Sequence, residues 1–316
     1  MLSRGSRVTG AVGELEAVVM GRVCVDLYPM QLETPLEQVD GFHKYVGGFA
    51  GNVATGLARL GVRTAIVSAV GDDGHGRYIR TWLEAQGVDC RWLGVHPTLR
   101  TALAFCEAWP PDRFPITFYR TPTCPDWELT ASALPLDVIA GVPVAYVSGT
   151  GLAVEPSRLA TLTALECRHG RGGVSILDLD WREVLWSSRS DYAACIRLAA
   201  PLADVALGSD EEIEAAVGTA DPAGLMDWGV AVVAQKHGSR GVTVHAAGDA
   251  PVRVDAVPVD VVNGLGAGDA FAAAFGWRLL RNDPPDVAAL YANRAGAHVA
   301  ARLGCSIAMP EEGDLL

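Results

Sequence analysis

The chain has 316 residues, half of them hydrophobic and 20% charged, and 37 acidic side chains outnumber 25 basic ones for a formal net charge of −12. This much apolar material excludes an intrinsically disordered chain, and the 35 glycines show no three-residue period, which excludes a collagen-like fibre. The net acidity argues against nucleic acid as a main partner, because proteins that bind nucleic acid present a basic face.

The cysteines and the apolar runs bear on the compartment. Seven cysteines are scattered without a C-x-x-C pair, which indicates reduced thiols in a cytoplasm. Residues 1–14 lack the apolar segment of a signal peptide, and we expect them to form a weakly ordered arm. The longest uncharged run, 138–154, is interrupted by Pro143 and is too short to span a bilayer. We therefore expect a cytoplasmic protein without a membrane partner.

Short β-branched runs alternate with helical patterns along most of the chain. The strand patterns cover residues 15–25, 64–70, 144–148, 174–178, 205–208 and 230–235. The helical patterns cover residues 52–60, 73–86, 156–169, 191–200, 210–217, 269–280 and 285–303. This alternation is typical of βαβ units and predicts an α/β layered sandwich with a mostly parallel central sheet.

Two segments, 27–47 and 91–120, break the alternation. The second contains three extended patches, 91–95, 101–107 and 115–119, with no helix between them. Both segments could be surface hairpins, or together they could build a small β-sheet that acts as a lid. The chain shows no internal repeat and no flexible linker, so we expect a single domain over 1–316 that carries this excursion.

A glycine-rich turn near the C-terminus leads into the apolar helix predicted over 269–280. The turn ends with Gly266, Ala267 and Gly268, and Asp269 is the first residue of the predicted helix. Free backbone N–H groups and the helix dipole make such a helix start an anion site. Asp269 could simply favour the dipole, or it could be a general base beside the anion. The spacing differs from the dinucleotide motif G-x-G-x-x-G, and no Gly-Lys pair of a Walker loop occurs.

A second glycine cluster, Gly47-Gly48-Phe49-Ala50-Gly51-Asn52, opens the helix predicted over 52–60. It could be a tight turn with Asn52 as the helix cap. Alternatively, it allows close backbone approach to a polar ligand, with Asn52 binding the ligand's hydroxyl groups. Asp26, at the end of the first strand, could do the same, because open α/β sheets bind ligands at strand carboxyl ends.

From about residue 16 to residue 308, the chain resembles the ribokinase-like (PfkB) family of sugar kinases. The first family signature matches Gly47-Gly48 through Asn52 and on to 71–76, and the second matches Gly266-Ala267-Gly268-Asp269. The resemblance implies a three-layer sandwich with a β-sheet lid and ATP-dependent phosphorylation of a sugar hydroxyl. It also implies that Asp269 is the catalytic base and that the N–H groups of residues 266–268 hold the transferring phosphoryl group, which is chemistry that depends on positioning and charge stabilisation.

Further matches concern the nucleotide. Residues 236–241 resemble the family's K-x-G-x-x-G turn beside ATP, which implies nucleotide contacts for Lys236, Gly238 and Gly241, whereas the pattern alone predicts a plain hairpin turn. Lys236 is one of only two lysines in the chain. Asn293 matches a family asparagine near the adenine, although without the resemblance it would be interpreted as a polar residue on a helix surface.

Two positions depart from the family pattern. Ser209 replaces the asparagine of the metal-associated N-x-x-E motif, while Glu212 is kept. We expect Mg²⁺ to bind through phosphates and waters, with Glu212 contacting it through water. Asn263 stands where many members have an aspartate that helps to hold a monovalent cation, and this substitution argues against potassium activation.

The substrate is expected to be a sugar acid. Segments 118–120 and 178–186 resemble those of family members that act on sugar acids, and a pair of guanidinium groups, Arg120 and Arg182, suits a carboxylate. Either arginine alone could instead pair with a surface acid. Segments 21–29, 105–112 and 263–269 resemble members that phosphorylate the terminal hydroxyl of 5-dehydro-2-deoxygluconate in inositol catabolism.

Other interpretations remain open from the sequence. A kinase of the same family could act on 2-keto-3-deoxygluconate or fructose. A non-catalytic sugar or nucleotide sensor could use the same fold, and a nicotinamide-dependent dehydrogenase would instead bind NAD(H). We also expect that the lid could pair with the lid of a second subunit to form a homodimer.

Overall fold

The computed structural model describes residues 15–316, so the arm predicted over 1–14 lies outside the described residues. The strands within this range are β1 Ala17–Met20, β2 Cys24–Pro29, β3 Phe42–Gly47, β4 Thr64–Gly71, β5 Asp89–His96, β6 Leu103–Cys106, β7 Ile116–Tyr119, β8 Val144–Ser148, β9 Val174–Asp178, β10 Val205–Ser209, β11 Val232–Lys236, β12 Val242–Ala246 and β13 Val252–Val254. The α-helices are α1 Phe49–Arg59, α2 Gly74–Ala85, α3 Leu136–Gly141, α4 Ser157–Arg168, α5 Arg189–Ala199, α6 Asp210–Val217, α7 Ala223–Asp227, α8 Ala267–Leu280 and α9 Pro285–Ala300.

Nine strands form the central sheet, in the order β13-β12-β11-β10-β9-β8-β1-β4-β5. All neighbours from β11 to β5 are parallel, and the two remaining pairs at one edge, β11 with β12 and β12 with β13, are antiparallel. The parallel strands are short and largely buried, as expected for a sheet that is covered on both faces. Their carboxyl ends all meet at one edge, where open α/β sheets bind ligands.

Helices cover both faces of this sheet. Alternate residues of β1 point to opposite sides: Val19 joins a core with α1, α2, α8 and α9, while Val18 joins a second core with α3 to α7. The two cores on either side of one sheet confirm the predicted α/β sandwich with a mostly parallel sheet. The helix predicted over 269–280 is buried along most of its length, from Ala270 to Trp277.

A smaller four-stranded sheet has the order β3-β2-β6-β7. The single strand predicted over 15–25 is wrong, because the backbone bends at residues 21–23, where Gly21 has φ +142°. Consequently β1 belongs to the central sheet and β2 to the small sheet. The predicted second β-sheet is confirmed, although its first segment begins at Cys24 rather than at residue 27.

One patch assigned to the lid lies elsewhere. Residues 91–95 are part of β5, which pairs in parallel with β4 at the edge of the central sheet. Cys90 and Leu93 on this strand are buried in the core that includes α2, and this burial holds the strand to the central sheet. Only β6 and β7 from the second predicted segment therefore join the small sheet. The last helix also ends earlier than predicted, at Ala300.

The loop before α8 is tied to the chain that follows α9. Asn263 is fully buried, its Nδ2 donates to the carbonyl oxygen of Leu303 at 2.6 Å, and its Oδ1 accepts from the backbone N–H of Leu265 at 3.1 Å. An ionised aspartate at this position would have no donor for the Leu303 carbonyl. The amide therefore has a structural role that an aspartate could not fill in the same way.

In the described part of the chain, no helix is long and apolar enough to cross a membrane. All seven cysteines are free thiols, and six of them are buried.

Candidate active site

The N-terminus of α8 lies at the edge of the central sheet where the parallel strands end. Its cap, Gly266, has φ +81°, and a Cβ there would lie 2.7 Å from the Sγ of Cys305. The first backbone bond within the helix runs from the N–H of Ala270 to the carbonyl oxygen of Gly266, at 2.9 Å. The N–H groups of the first turn therefore have no carbonyl partner within the helix and remain available to an anion.

Asp269 is the third residue of α8 and accepts a hydrogen bond of 2.7 Å from Nδ2 of Asn52. Removal from water raises the pKa of Asp269 to about 6, and the charge of Asp180 acts in the same direction. The Asn52 bond and the charges of Arg22 and Arg182 oppose this rise in pKa. A carboxylate with this pKa, beside an anion site, is suited to accept a proton near neutral pH.

Asn52 is not the cap of α1. The helix begins at Phe49 with Gly48 as its cap, so Asn52 lies within the first turns and its side chain is free to reach α8. Its Nδ2 is bound to Asp269, whereas its Oδ1 is buried without a hydrogen-bond partner in the described part of the chain. A ligand hydroxyl could satisfy this acceptor, since buried polar atoms are normally paired.

Asp26 faces the same region from β2. It is buried and accepts a hydrogen bond from the thiol of Cys24 at 3.2 Å, and burial raises its pKa to about 6. Gly47, on the neighbouring strand β3, leaves room for this carboxylate, because a Cβ on Gly47 would lie 2.0 Å from Oδ2 of Asp26. The glycine cluster of residues 47–52 thus permits close approach of the Asp26 side chain, and its turn also starts α1.

An ionic cluster that the sequence analysis missed surrounds Asp180, two residues after β9. Oδ1 of Asp180 lies 3.3 Å from Nε of Arg182, and Oδ2 lies 3.4 Å from Nη2 of Arg22 and accepts from Oγ1 of Thr150 at 2.7 Å. Burial disfavours the ionised form, but the two guanidinium groups and the Thr150 hydroxyl hold the pKa of Asp180 below its usual range. Two aspartates, at positions 178 and 180, following a buried strand were the signal that could have revealed this cluster.

Lys236 ends β11 and faces the start of α8. Its Nζ lies 3.7 Å from Oδ2 of Asp178 and 3.7 Å from Oε2 of Glu212, and 3.5 Å from the position that a Cβ on Gly268 would occupy. Burial disfavours the ammonium group, but Asp178 and Glu212 keep the pKa of Lys236 above its usual value. Burial raises the pKa of Asp178 in turn, despite the nearby ammonium group. Lys236 is therefore a cation placed beside the anion site.

Ser209 and Glu212 form a capping box at the start of α6. The Ser209 hydroxyl accepts from the Glu212 N–H at 3.2 Å, and Oε2 of Glu212 accepts from the Ser209 N–H at 2.7 Å. Among the described residues no group of three or more His, Cys, Asp or Glu is arranged to hold a metal ion. The carboxylates of Asp178 and Glu212 fit a hard cation that keeps its waters and phosphate ligands.

The remaining nucleotide candidates lie on two elements near this edge. Residues 237–241 form the turn between the antiparallel strands β11 and β12, closed by a bond of 2.8 Å from the N–H of His237 to the carbonyl oxygen of Gly241. This geometry confirms the predicted hairpin, in which Gly238 and Gly241 have φ values of +60° and +91°. Asn293, on α9, is half-buried and donates to the carbonyl oxygen of Asp255 at 2.9 Å.

Arg120 contacts a buried acid and an aromatic ring, and part of its guanidinium group has no partner. Its Nη2 forms an ion pair of 2.6 Å with Oδ2 of Asp126, and its guanidinium lies over the ring of Trp127 at 4.5 Å. Nε and Nη1 are buried without a hydrogen-bond partner in the described residues, so donors remain for a ligand. Arg120 thus does pair with an acid, as one interpretation of the sequence allowed, but that acid, Asp126, is buried rather than on the surface.

Comparisons with known proteins agree with this geometry. The family model described as "pfkB family carbohydrate kinase" matches residues 14–312. Relatives named 5-dehydro-2-deoxygluconokinase include those of Clostridium tetani, which is 32% identical over 94% of this chain and 90% of its own, and of Geobacillus thermodenitrificans, at 33% over 94% and 90%. The structure of a fructokinase from Vibrio cholerae O395, bound to fructose, ADP and calcium, superposes with a TM-score of 0.84 and 28% identity over 95% of this chain and 98% of its own.

The family match spans nearly all of the chain, and the two relatives cover 94% of it at more than 30% identity. The structure contains the expected ribokinase-like sandwich and the two glycine-rich turns, each at the start of a helix. The chain therefore belongs to the pfkB family of carbohydrate kinases and is an ATP-dependent sugar kinase.

Proposed function

We propose that this kinase transfers the γ-phosphoryl group of ATP to the terminal hydroxyl of a sugar acid, 5-dehydro-2-deoxygluconate, in the cytoplasm during inositol catabolism. The observation that carries the proposal is the pairing of Asp269 with Asn52 beside the free N–H groups of α8. The names of the relatives in Clostridium tetani and Geobacillus thermodenitrificans support the choice of sugar acid.

In this proposal Asp269 accepts the proton of the attacking hydroxyl while that oxygen forms a bond to the γ-phosphorus and ADP leaves. Asn52 holds the Asp269 carboxylate at 2.7 Å and directs it toward the substrate. The backbone of Gly266, Ala267 and Gly268 binds the phosphoryl oxygens, whose charge the dipole of α8 also stabilises. These groups are already in place before the reaction, so little reorganisation is required.

The nucleotide side of the site combines backbone and charge. We assign Lys236, Gly238 and Gly241 to ATP through the hairpin turn, and Asn293 to the adenine end through α9. Mg²⁺, when bound with the phosphates, would neutralise part of their charge, and Glu212 would contact it through water. Because Asn263 uses its amide to bind Leu303, we propose that the enzyme does not require a monovalent cation.

The sugar is proposed to bind between the two glycine-rich turns and the small sheet. Asp26 and the Oδ1 of Asn52 would bind its hydroxyl groups, while Gly47 and Gly48 contribute by leaving room for the Asp26 carboxylate and for the backbone of Arg22, respectively. Arg182, whose side chain is 40% exposed, would bind the carboxylate, and Arg120 would contribute its unpartnered donors. The small sheet would act as a lid over the bound sugar.

A second candidate is phosphorylation of fructose, because the similar Vibrio cholerae structure is a fructokinase that holds fructose. A kinase for 2-keto-3-deoxygluconate is a third, since that substrate is also a sugar acid. These candidates differ in whether the substrate carries a carboxylate, and the arginine side chains at the site favour one that does.

Replacing the proposed base should stop turnover. We expect Asp269→Asn to lower kcat by at least about 100-fold, because the amide cannot accept the proton, while ATP still binds. Steady-state kinetics and calorimetric titration with ATP measure the two effects. Asp137→Asn, an exposed first-turn aspartate of α3, is the matched control and should behave as the parent. Turnover of the Asp269 variant near the parent rate would show that another group is the base.

The pH dependence of kcat/KM should reflect the ionisation of the Asp269 carboxyl group. Since Asp269 must be ionised to act and its pKa is about 6, we expect kcat/KM to fall as the pH drops through about 6. Asn52 donates to the ionised form, so Asn52→Leu should move this acid limb to higher pH. Thr55→Val, on the same helix, is the control that should leave it in place. An acid limb that is identical in the Asn52 variant would argue against Asp269 as the titrating group.

A substrate panel tests the choice of sugar. We expect kcat/KM for 5-dehydro-2-deoxygluconate to exceed the values for 2-keto-3-deoxygluconate and fructose, because the arginines offer charge-assisted hydrogen bonds to a carboxylate. A coupled assay of ADP release measures all three substrates under one condition. A preference for fructose over both acids would contradict the assignment of the arginines to substrate.

We further propose that a second copy of the chain pairs with the outer face of the small sheet. Phe42, Phe105 and Tyr119 form a row of ring contacts at 5.2 and 5.1 Å on this face, and Tyr119 is 59% exposed. Analytical ultracentrifugation should show a dimer that Tyr119→Glu dissociates, since the substitution places a charge in an apolar contact. Monomers alone at micromolar concentration would contradict the proposal.

A further inference from the structure

We propose that Arg22 is a specificity-determining residue of this enzyme. Arg22 and Arg182 together form a two-guanidinium receptor for the substrate carboxylate, and Asp180, between them, is the positioning residue. The inference rests on the proposed phosphorylation of a sugar acid and adds to it a residue that its sequence motifs did not single out. It follows from where the three side chains lie and from which of their polar atoms lack partners.

Arg22 is held at the junction of the two sheets. It lies in the bend between β1 and β2, and its carbonyl oxygen accepts a bond of 2.9 Å from the N–H of Ala50 in the first turn of α1. Its guanidinium lies 5.6 Å from the centre of the Phe118 ring on β7. The side chain is therefore fixed between the central sheet, the glycine-rich turn and the small sheet, in the space assigned to the sugar.

Asp180 has the geometry of a positioning group. It is buried, and its φ of +37° is unusual for a residue other than glycine. Its N–H donates to Oδ1 of Asp178 at 3.1 Å, and Thr150 donates to its Oδ2 at 2.7 Å. These bonds fix the carboxylate, and it holds the guanidinium groups of Arg22 and Arg182 on its two oxygens at 3.4 and 3.3 Å.

The cluster of Arg22, Arg182 and Asp180 has the charge and the free donor to bind an anion. Two guanidinium groups share one carboxylate at distances of 3.3 to 3.4 Å, longer than those of a close charge-assisted bond. Nε of Arg22 is buried and has no hydrogen-bond partner within the described residues. Buried donors are normally satisfied, so a ligand acceptor is expected here. A carboxylate has the charge and the paired oxygens that two guanidinium forks bind.

The receptor faces the proposed base. Arg22 and Asp269 are both bound to the first turns of α1, since the N–H of Ala50 donates to the carbonyl oxygen of Arg22 at 2.9 Å and Nδ2 of Asn52 donates to Asp269 at 2.7 Å. In keeping with this proximity, the charges of Arg22 and Arg182 lower the pKa of Asp269 and the charge of Asp180 raises it. Arg120 has a closer carboxylate partner, Asp126 at 2.6 Å, and keeps Nε and Nη1 as the donors that it would add to this receptor. A sugar acid bound with its carboxylate at the arginine pair would thus extend toward the carboxylate that accepts the proton of its hydroxyl.

The test compares the sugar acid with a neutral analogue whose carboxylate is reduced to a primary alcohol. We expect Arg22→Gln to lower kcat/KM for 5-dehydro-2-deoxygluconate about 10- to 100-fold, mainly through KM, because the lost bonds are charge-assisted. The ratio of acid to neutral kcat/KM should fall by a similar factor. Arg182→Gln should act in the same direction, and Arg91→Gln, an exposed arginine on β5, should leave the ratio unchanged.

A merely structural role for Arg22 would lower kcat/KM for both substrates together, and an unchanged ratio would overturn the inference. If thermal unfolding shows that Arg22→Gln does not fold, Arg22→Lys is tested instead. Because this variant retains the positive charge, we expect the ratio of acid to neutral kcat/KM to fall measurably below that of the parent, but by less than about tenfold. A parent enzyme with no preference for the acid would contradict the proposed function itself. A parent that prefers the acid, with a ratio that Arg22 variants leave intact, would contradict only this inference.

Discussion

The hydrogen bond of 2.7 Å between Asn52 and Asp269 joins the two glycine-rich turns, and the rest of the candidate site is organised around it. The two residues are far apart in the chain and meet because α1 and α8 cover the same face of the central sheet. Val53, next to Asn52, and Phe271, two residues after Asp269, share one apolar core. Packing of this core therefore sets the position of the proposed base, and the glycine turns provide the space around it.

Around this bond the protein buries an unusual number of ionised or ionisable groups. Asp26, Asp178, Asp180 and Asp269 come from different elements, and burial raises the pKa of three of them while two arginines hold the fourth ionised. Such a cluster is costly to fold unless each charge has a partner. Clusters of perturbed carboxyl groups are typical of catalytic sites, and in our proposal this cluster lies where the sugar and the transferring phosphoryl group bind.

The overall net charge of −12 does not describe this local environment. Arg22, Arg182 and Lys236 all lie at the carboxyl edge of the central sheet, although the chain as a whole is acidic. In the proposed function, anionic ligands would be bound by these side chains and by backbone N–H groups at the start of α8. Local placement of a few cations thus outweighs an acidic surface, since exposed charges are screened by solvent and salt.

The sequence alone predicted the α/β class, the parallel strands and the two turns. Strands that are buried on both faces of a sheet appear in the sequence as short apolar runs, and the two turns appear as glycine-rich segments just before helical patterns. It could not show that residues 15–25 bend into two sheets or that residues 91–95 join the central sheet, since a short extended segment carries no record of its partner. It also missed Arg22 and Asp180, and it interpreted Asn52 as a possible cap. These roles depend on contacts between residues far apart in the chain, such as the ion pair of Arg22 with Asp180, and only the packing of helices on the sheet brings such groups within a few ångströms.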